Sequence, residues 1–481
     1  MTTRRLQHVA IIGGGFSGTL AALNLARLST TPLKISIINY AHPAGRGIAY
    51  STARPEHLLN VAARNMSAFP EFPTHFVEWL RTRTEYASIS EAELRETFIP
   101  RRIYGDYLRS LALSYCRPLD QRSPVQIYPI DGEVVDLIPE IQGARLILAD
   151  GNTLIADRVI LATGNEPPAD LPGTESLSLH PAWCANPWID WETKLPPPGG
   201  TVVLLGTGLT TVDAILTLLT LDWRGRILAV SRHGLLPQSH FKGVDVPDFP
   251  PPDVDLASLG LTELASLVEQ QCDRLRRIGA NPAMIVDKLR PHTQRIWQAF
   301  SDKERQQFIT LYAARWNVIR HRIAPSIHQQ ITAAVTSGRV EIIPANITTL
   351  RAAGKKITVD LHAADGAAST LEADLVINGT GPHTRFSATR SPLLRALLHR
   401  GLVKADSLDM GVKINADFTV IQRDDCPSAH LLAIGPLLRG TLWETVAVPE
   451  LRGQALRVAQ TLLAATPTQP ASEADVIEYW I

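Results

Sequence analysis

The sequence predicts an α/β chain of two doubly wound units, the second carrying a helical insertion. Three observations predict it. The stretches HVAIIGGGFSGTLAALNLA, from His8, and TVVLLGTGLTTVDAILTLL, from Thr201, both read as an apolar strand, a glycine turn and an amphipathic helix. The stretches LIADRVILATGN, from Leu154, and LEADLVINGTGP, from Leu371, are near-copies: an acidic residue, an apolar strand and a Thr-Gly turn. Between roughly Asp255 and Gly338 the apolar residues recur at helical spacing.

The chain has 481 residues, more than one ordinary core organises, which suggests about two to four domains. Its 47 Lys and Arg balance 47 Asp and Glu. Balanced charge argues against nucleic acid as the main partner, because counterion release needs a basic surface. Cys116, Cys184, Cys272 and Cys426 form no Cys-x-x-Cys pair, so neither a zinc site nor a redox dithiol is suggested. Sparse cysteines suit a reducing compartment. The start MTTRRLQH lacks a signal peptide's apolar core, and no apolar run approaches ~18 residues. The expectation is a cytoplasmic protein without a membrane span, its oligomeric state open.

In the first unit, HVAII reads as a strand buried on both faces of a parallel sheet. Gly13, Gly15 and Gly18 make G-x-G-x-x-G: a tight turn, a backbone that can approach a pyrophosphate, and close helix–strand packing. The helix from about Phe16 to Leu28 then aims the N–H groups of Phe16 and Ser17 at phosphates. In this strand–turn–helix–strand context the reading is dinucleotide binding; the plain alternative is a tight turn with no ligand. The second strand, LKISIIN, ends on Asn39 where an acid usually meets the ribose; Asn can accept a hydrogen bond but loses charge assistance.

The second unit has Gly206 and Gly208, with Leu209 and Thr210 opening the helix and the bulkier Thr211 at the third position. Helix and strand should therefore stand slightly further apart. Asp213 in the first turns suits the helix dipole. The following strand, RILAVSRHG, ends on Ser231, Arg232 and His233 with no acid. A carboxylate there would repel a 2′-phosphate, whereas Arg and Ser would bind it, so NADPH is favoured over NADH. The alternative is that Arg232 and His233 are a solvated loop pair.

Two dinucleotide folds in one chain suggest two dinucleotides, one reducing the other, and the usual pair is FAD with NAD(P)H. The expected fold class is thus two Rossmann-like dinucleotide-binding domains, for FAD and NADP. The Thr-Gly turns at Thr163–Gly164 and at Gly381 mark where the chain crosses between them. Proline-rich stretches bracket the second unit. The expected division is 1–195 for the first part of the FAD domain, 196–371 for the NAD(P) domain with its insertion at about 255–338, and 372–481 for the second part of the FAD domain.

Five segments carry a family resemblance: GGGFSG; GRGIAYST with HLLNVAARNMSAF; GTGLTTVD; SRHGLLP; and GPLLRGTLWETVAVPELRGQA. Together they resemble the bacterial FAD–NAD(P)-binding proteins, which are similar in turn to the N-hydroxylating flavin monooxygenases. The resemblance implies that GRGIAYS passes the FAD, with Gly45 and Gly47 permitting close approach and Arg46 meeting a phosphate; the alternative is a surface loop. It places LLNVAARNMSAF beside the isoalloxazine, Asn60 bonding the ring edge and Met66 either touching the ring or only packing. Where flavoproteins commonly have Gly-Asp, Gly435 is followed by Pro436, so that carboxylate contact is absent. Glu444, near the start of the last helix, is a candidate in its place; equally, it is a helix-start residue with no ligand.

The same resemblance implies the reaction. Without Cys-x-x-Cys a disulfide outlet is unsupported, and LPGTESLSLHPAW has the wrong spacing for the fingerprint of Baeyer–Villiger enzymes. Oxygen is then the expected acceptor, with an amine or amino acid hydroxylated through a flavin hydroperoxide. No catalytic residue is assigned. Arg315, Arg320, His321 and Arg322 offer a grip for a carboxylate or the NADPH phosphate, or else form a solvated basic face. The alternatives are a reductase passing electrons to another acceptor, and a non-catalytic redox sensor.

Overall fold

The strand Gln7–Ile12 runs parallel between Leu33–Asn39 and Arg158–Leu161, and Val9, Ala10 and Ile11 are almost wholly buried. The computed structural model in which this is seen describes residues 7–116, 125–189, 191–241 and 249–464. The first sheet runs Thr419–Ile421, Pro427–Ala433, Arg158–Leu161, Gln7–Ile12, Leu33–Asn39 and Val125–Asp131. All neighbours are parallel except the first pair. Helices Phe16–Leu28, Arg101–Cys116 and Val448–Leu463 cover it, and a small antiparallel sheet (Val134–Glu140, Gly143–Leu148, Thr153–Ala156) flanks it.

The second sheet runs Ala368–Ala373, Lys356–Ala363, Val340–Ala353, Arg226–Ser231, Thr201–Leu205, Leu375–Asn378 and Trp183–Cys184. Its parallel half is the second nucleotide fold; its antiparallel half is a meander of Val340–Ala353, Lys356–Ala363 and Ala368–Ala373. The 195/196 and 371/372 divisions therefore need correcting. Trp183–Cys184 pairs with Leu375–Asn378, which pairs with Thr201–Leu205, so both expected boundaries cut through one sheet. The second half instead draws on residues from about Trp183 to Gly381. Residues 1–6 and 465–481 of the outer domains lie outside the described residues.

The near-copied stretches explain how two units arise from one plan. Asp157 accepts from the His8 N–H at 2.7 Å, and Asp374 accepts from the Thr201 N–H at 2.8 Å. Each acid thus pins the start of a glycine-bearing strand to its parallel neighbour. At the other end, the Gly13 N–H donates to the Ile38 carbonyl at 2.8 Å and the Gly206 N–H to the Val230 carbonyl at 2.6 Å.

The insertion forms Leu261–Arg277, Ala283–Leu289, Thr293–Ala299, Asp302–Leu311 and Ala313–Arg320. Ser301 and Glu304 make a reciprocal capping box at the start of Asp302–Leu311. The helices Asp302–Leu311 and Ala313–Arg320 follow one another with a break at Tyr312. Although it lies in sequence within the second unit, the insertion shares its core with Trp443, Leu408 and Met410 of the first. The helix Pro325–Thr336 packs instead on Leu209–Thr220 and closes the second nucleotide fold. No helix among the described residues is long and apolar enough to cross a membrane.

Candidate active site

Both glycine turns have the geometry that requires glycine. Gly13 (φ +110°) faces the Ala162 carbonyl, which a Cβ would meet at 2.2 Å; Gly206 (φ +102°) faces the Gly379 carbonyl at 2.4 Å. The turn after the neighbouring strand thus crowds the first glycine in each unit, and the Thr163–Gly164 and Gly381 turns supply that wall. A Cβ on Gly18 would lie 1.9 Å from the Gly13 carbonyl. At the equivalent place Thr211 fits and donates to the Gly206 carbonyl at 2.8 Å. Nothing lies within 4 Å of a Cβ built on Gly164, Gly208 or Gly381. Open space over these glycines suits close approach of a dinucleotide backbone, and Thr163 adds a buried hydroxyl with no hydrogen-bond partner.

One cavity of about 2300 Å³ joins the two halves. From the second unit it takes Gly206, Gly208, Leu209, Thr210, Ser231, Arg232 and Gly381; from the first it takes Asn60 and Met66, together with Tyr50. The insertion closes it with Asp287, Arg290, Asn317 and Arg320–Arg322. Arg232 is exposed at this surface and has no ion pair among the described residues. The Ser231 hydroxyl is shared with Thr207 at 2.8 Å, which fixes the end of the strand.

The other expected residues sit apart from the cavity. The loop carrying Gly45 and Gly47 lies on the first glycine turn: Gly45 donates to the Gly14 carbonyl at 2.8 Å, and a Cβ on Gly47 would meet the Gly15 Cα at 2.8 Å. Arg46 is bonded to Asp106 rather than held out for a phosphate. Asn39 accepts from the Gly14 N–H at 2.8 Å and donates to the His42 carbonyl, so it holds the turn. Gly435 (φ +86°) packs on Ser17 at the helix start, where a Cβ would meet the hydroxyl at 3.0 Å. Phe16 is buried against Tyr50 and Tyr104.

Glu444 is 3% exposed and faces the insertion. Its Oε1 accepts from the Trp316 indole at 3.0 Å, and its Oε2 lies 3.5 Å from Arg320. The solvated basic face is likewise not found. Arg320 and Arg322 are buried and paired, Arg322 with Asp287; Arg315 alone is exposed. Trp443, whose φ of +58° is strained for a bulky residue, stacks on Trp297 of the insertion at 4.9 Å.

Pattern reading missed the groups that join the halves. Arg101 makes a two-pronged bond to Asp213 at 2.6 and 3.3 Å, both side chains largely buried. His57 bonds Thr217 at 2.9 Å, and His240 bonds the Asn60 carbonyl at 2.8 Å. A carbonyl only accepts, so His240 carries its proton on Nε2. Burial holds His240 down to about 4, and holds His321 down to about 3 with help from Arg320 and Arg439. Only Asp213, placed at a helix start, gave a signal in the sequence, and no pattern gives the partner of a long-range ion pair.

Residues 10–166 match the model of the FAD-NAD(P)-binding family, so an FAD–NAD(P)-binding domain opens the chain and FAD and a nicotinamide dinucleotide are its cofactors. No curated protein sequence matches the chain. Among solved structures, the fold is similar to that of ornithine hydroxylase (PvdA) from Pseudomonas aeruginosa, with 15% identity, a TM-score of 0.65, and 95% of this chain and 99% of that one covered. L-lysine 6-monooxygenase from Pseudomonas syringae gives 18%, 0.65, 94% and 98%. The ornithine N-hydroxylase KtzI from Kutzneria sp. 744, whose structure holds reduced FAD, NADP+ and L-ornithine, gives 14%, 0.63, 95% and 99%. The expected resemblance and the two-dinucleotide fold are borne out.

Proposed function

We propose that the protein is an NADPH-dependent flavin monooxygenase that hydroxylates the nitrogen of a small amine or amino acid. The balance is amine + O₂ + NADPH + H⁺ → hydroxylamine + H₂O + NADP⁺. FAD, when bound, supplies the step between a two-electron hydride donor and oxygen. The observation that carries the reading is the single cavity shared by the Arg232 end of the second unit, the Asn60–Met66 segment of the first and the insertion. A donor, an acceptor and a third molecule then fit in one enclosure rather than two.

Arg232 is the group that would hold the 2′-phosphate, and the open backbone at Gly208 and Thr210 would receive the pyrophosphate. Asn60, whose backbone carbonyl accepts from His240, lines the cavity together with Met66. The insertion supplies a further wall of the cavity through Asp287, Arg290 and Asn317. A disulfide outlet gains no support, since no cysteine lines the cavity among the described residues.

The test is turnover of FAD-loaded protein with NADPH, oxygen and a panel of amines and amino acids. The reading predicts one hydroxylamine formed per NADPH and per O₂ consumed with at least one of them. Stoichiometric NADPH oxidation with electrons delivered to an added dye or quinone, and no hydroxylated nitrogen, would favour a reductase instead.

A further inference from the structure

We infer that the seam between the insertion and the last helix is an anion subsite, centred on Arg439, that takes the carboxylate of the substrate. The inference rests on the amine-hydroxylating reading and narrows it to amines that also carry a carboxylate, as against diamines.

Along this wall four guanidiniums face three carboxylates. Arg290 bonds Glu450 at 2.9 and 3.3 Å, Arg320 lies 3.5 Å from Glu444 and 3.4 Å from Glu450, and Arg322 pairs with Asp287. Arg439 is left over. It lines the cavity, lies over the Trp443 ring at 5.5 Å, and among the described residues has no carboxylate within ion-pair distance and no hydrogen-bond acceptor. Desolvation holds its guanidinium below the ordinary value, and Glu444 opposes this only from beyond ion-pair distance. Lys288 on the same wall is already engaged. Arg439 is half-buried at the cavity wall, and an unpaired guanidinium facing a cavity can take an anionic ligand as its counter-ion.

Two neighbours favour an anion at the same place. The 16-residue helix Val448–Leu463 starts at the cavity, and its N-cap, Ala447, offers no side-chain acceptor to the first N–H groups. His321 is neutral at pH 7 and has ring nitrogens with no partner among the described residues, so it can donate one N–H. The acids that line the cavity are committed elsewhere: Asp213 to Arg101, Asp287 to Arg322, Glu96 to Arg64, and Glu166 to Thr389 and the Arg390 N–H. None is left to receive the second ammonium of a diamine.

The experiment compares pairs that differ only in the carboxylate, L-lysine with cadaverine and L-ornithine with putrescine, on FAD-loaded protein. For wild type we expect the amino acid to have the higher kcat/KM. In Arg439→Gln the amino-acid to diamine ratio of kcat/KM should fall about 10–100-fold, the usual range for one charge-assisted bond, while Arg439→Lys keeps most of it. An unchanged ratio overturns the inference. So does an equal loss for both substrates with loss of bound FAD, which would put Arg439 on the cofactor. If no amine is hydroxylated, the functional reading fails separately. Calorimetric titration of the oxidised, NADP+-bound protein then decides the subsite. Heat with an amino acid, none with its diamine, and loss in Arg439→Gln supports it; no heat with either amino acid, or heat that survives the substitution, overturns it.

Discussion

Two glycines that look alike in the sequence do different work. Gly13 is needed by the protein itself, because a Cβ would sit 2.2 Å from the Ala162 carbonyl on a backbone at φ +110°. Gly208 has ordinary φ and a Cβ there would meet nothing within 4 Å, so the fold itself tolerates a side chain where the proposed NADPH would lie. Gly13→Ala should therefore lower the melting temperature and the yield of FAD-loaded protein. Gly208→Ala should fold normally yet raise the KM for NADPH. Equal melting temperatures for the two variants would contradict this assignment. For Arg232→Ala we expect NADPH to weaken by about 10–100-fold, the usual range for a charge-assisted phosphate contact, with NADH little changed; equal losses would place the 2′-phosphate elsewhere. The buried histidines set a pH dependence. His240, held down to about 4 against an unfolded value near 6.5, is protonated in the unfolded chain before the folded one. Stability should be full above pH 6.5 and decline as pH falls from 6.5 towards 4. His240→Gln should flatten the fall in melting temperature between pH 7 and pH 5, and an unaltered slope would mean that other groups carry it.

At the scale of elements, the two glycine motifs, the paired acid–strand–turn stretches and the helical block were all legible, since each is a local pattern read within about twenty residues. The strand Leu33–Asn39 and the helix Phe16–Leu28 lie where the pattern puts them. What was not legible is which elements touch. The boundary at 371/372 cut a sheet because a four-residue strand, Leu375–Asn378, returns to pair with a strand some 170 residues earlier, and no local period records that. The bond from Arg46 to Asp106, on the helix Arg101–Cys116, is equally invisible to a local pattern. The bond between Arg101 and Asp213 is of the same kind, and it ties the helix of one unit to that of the other. Removing one member leaves a buried charge, so Asp213→Ala should cost about 3–5 kcal/mol. The double variant Arg101→Ala/Asp213→Ala should cost less than the sum of the singles. Additive losses in melting temperature would show that the pair is not coupled.

At the scale of the whole molecule, the insertion gives the enclosure its third wall. It belongs in sequence to the second unit but is anchored to the first through Arg290–Glu450, Gln294 to the Glu444 carbonyl at 2.5 Å, and Trp297 to the Gly440 carbonyl at 2.8 Å. If the two nucleotide folds open onto one space, a hydride passes directly between their ligands. Anaerobic rapid mixing of FAD-loaded protein with NADPH deuterated at the transferred position tests it most directly. The account predicts bleaching of the flavin absorbance by one equivalent of NADPH, slowed by a primary isotope effect on the deuterated face alone. A protein that takes up FAD and binds NADPH yet shows no bleaching would contradict it.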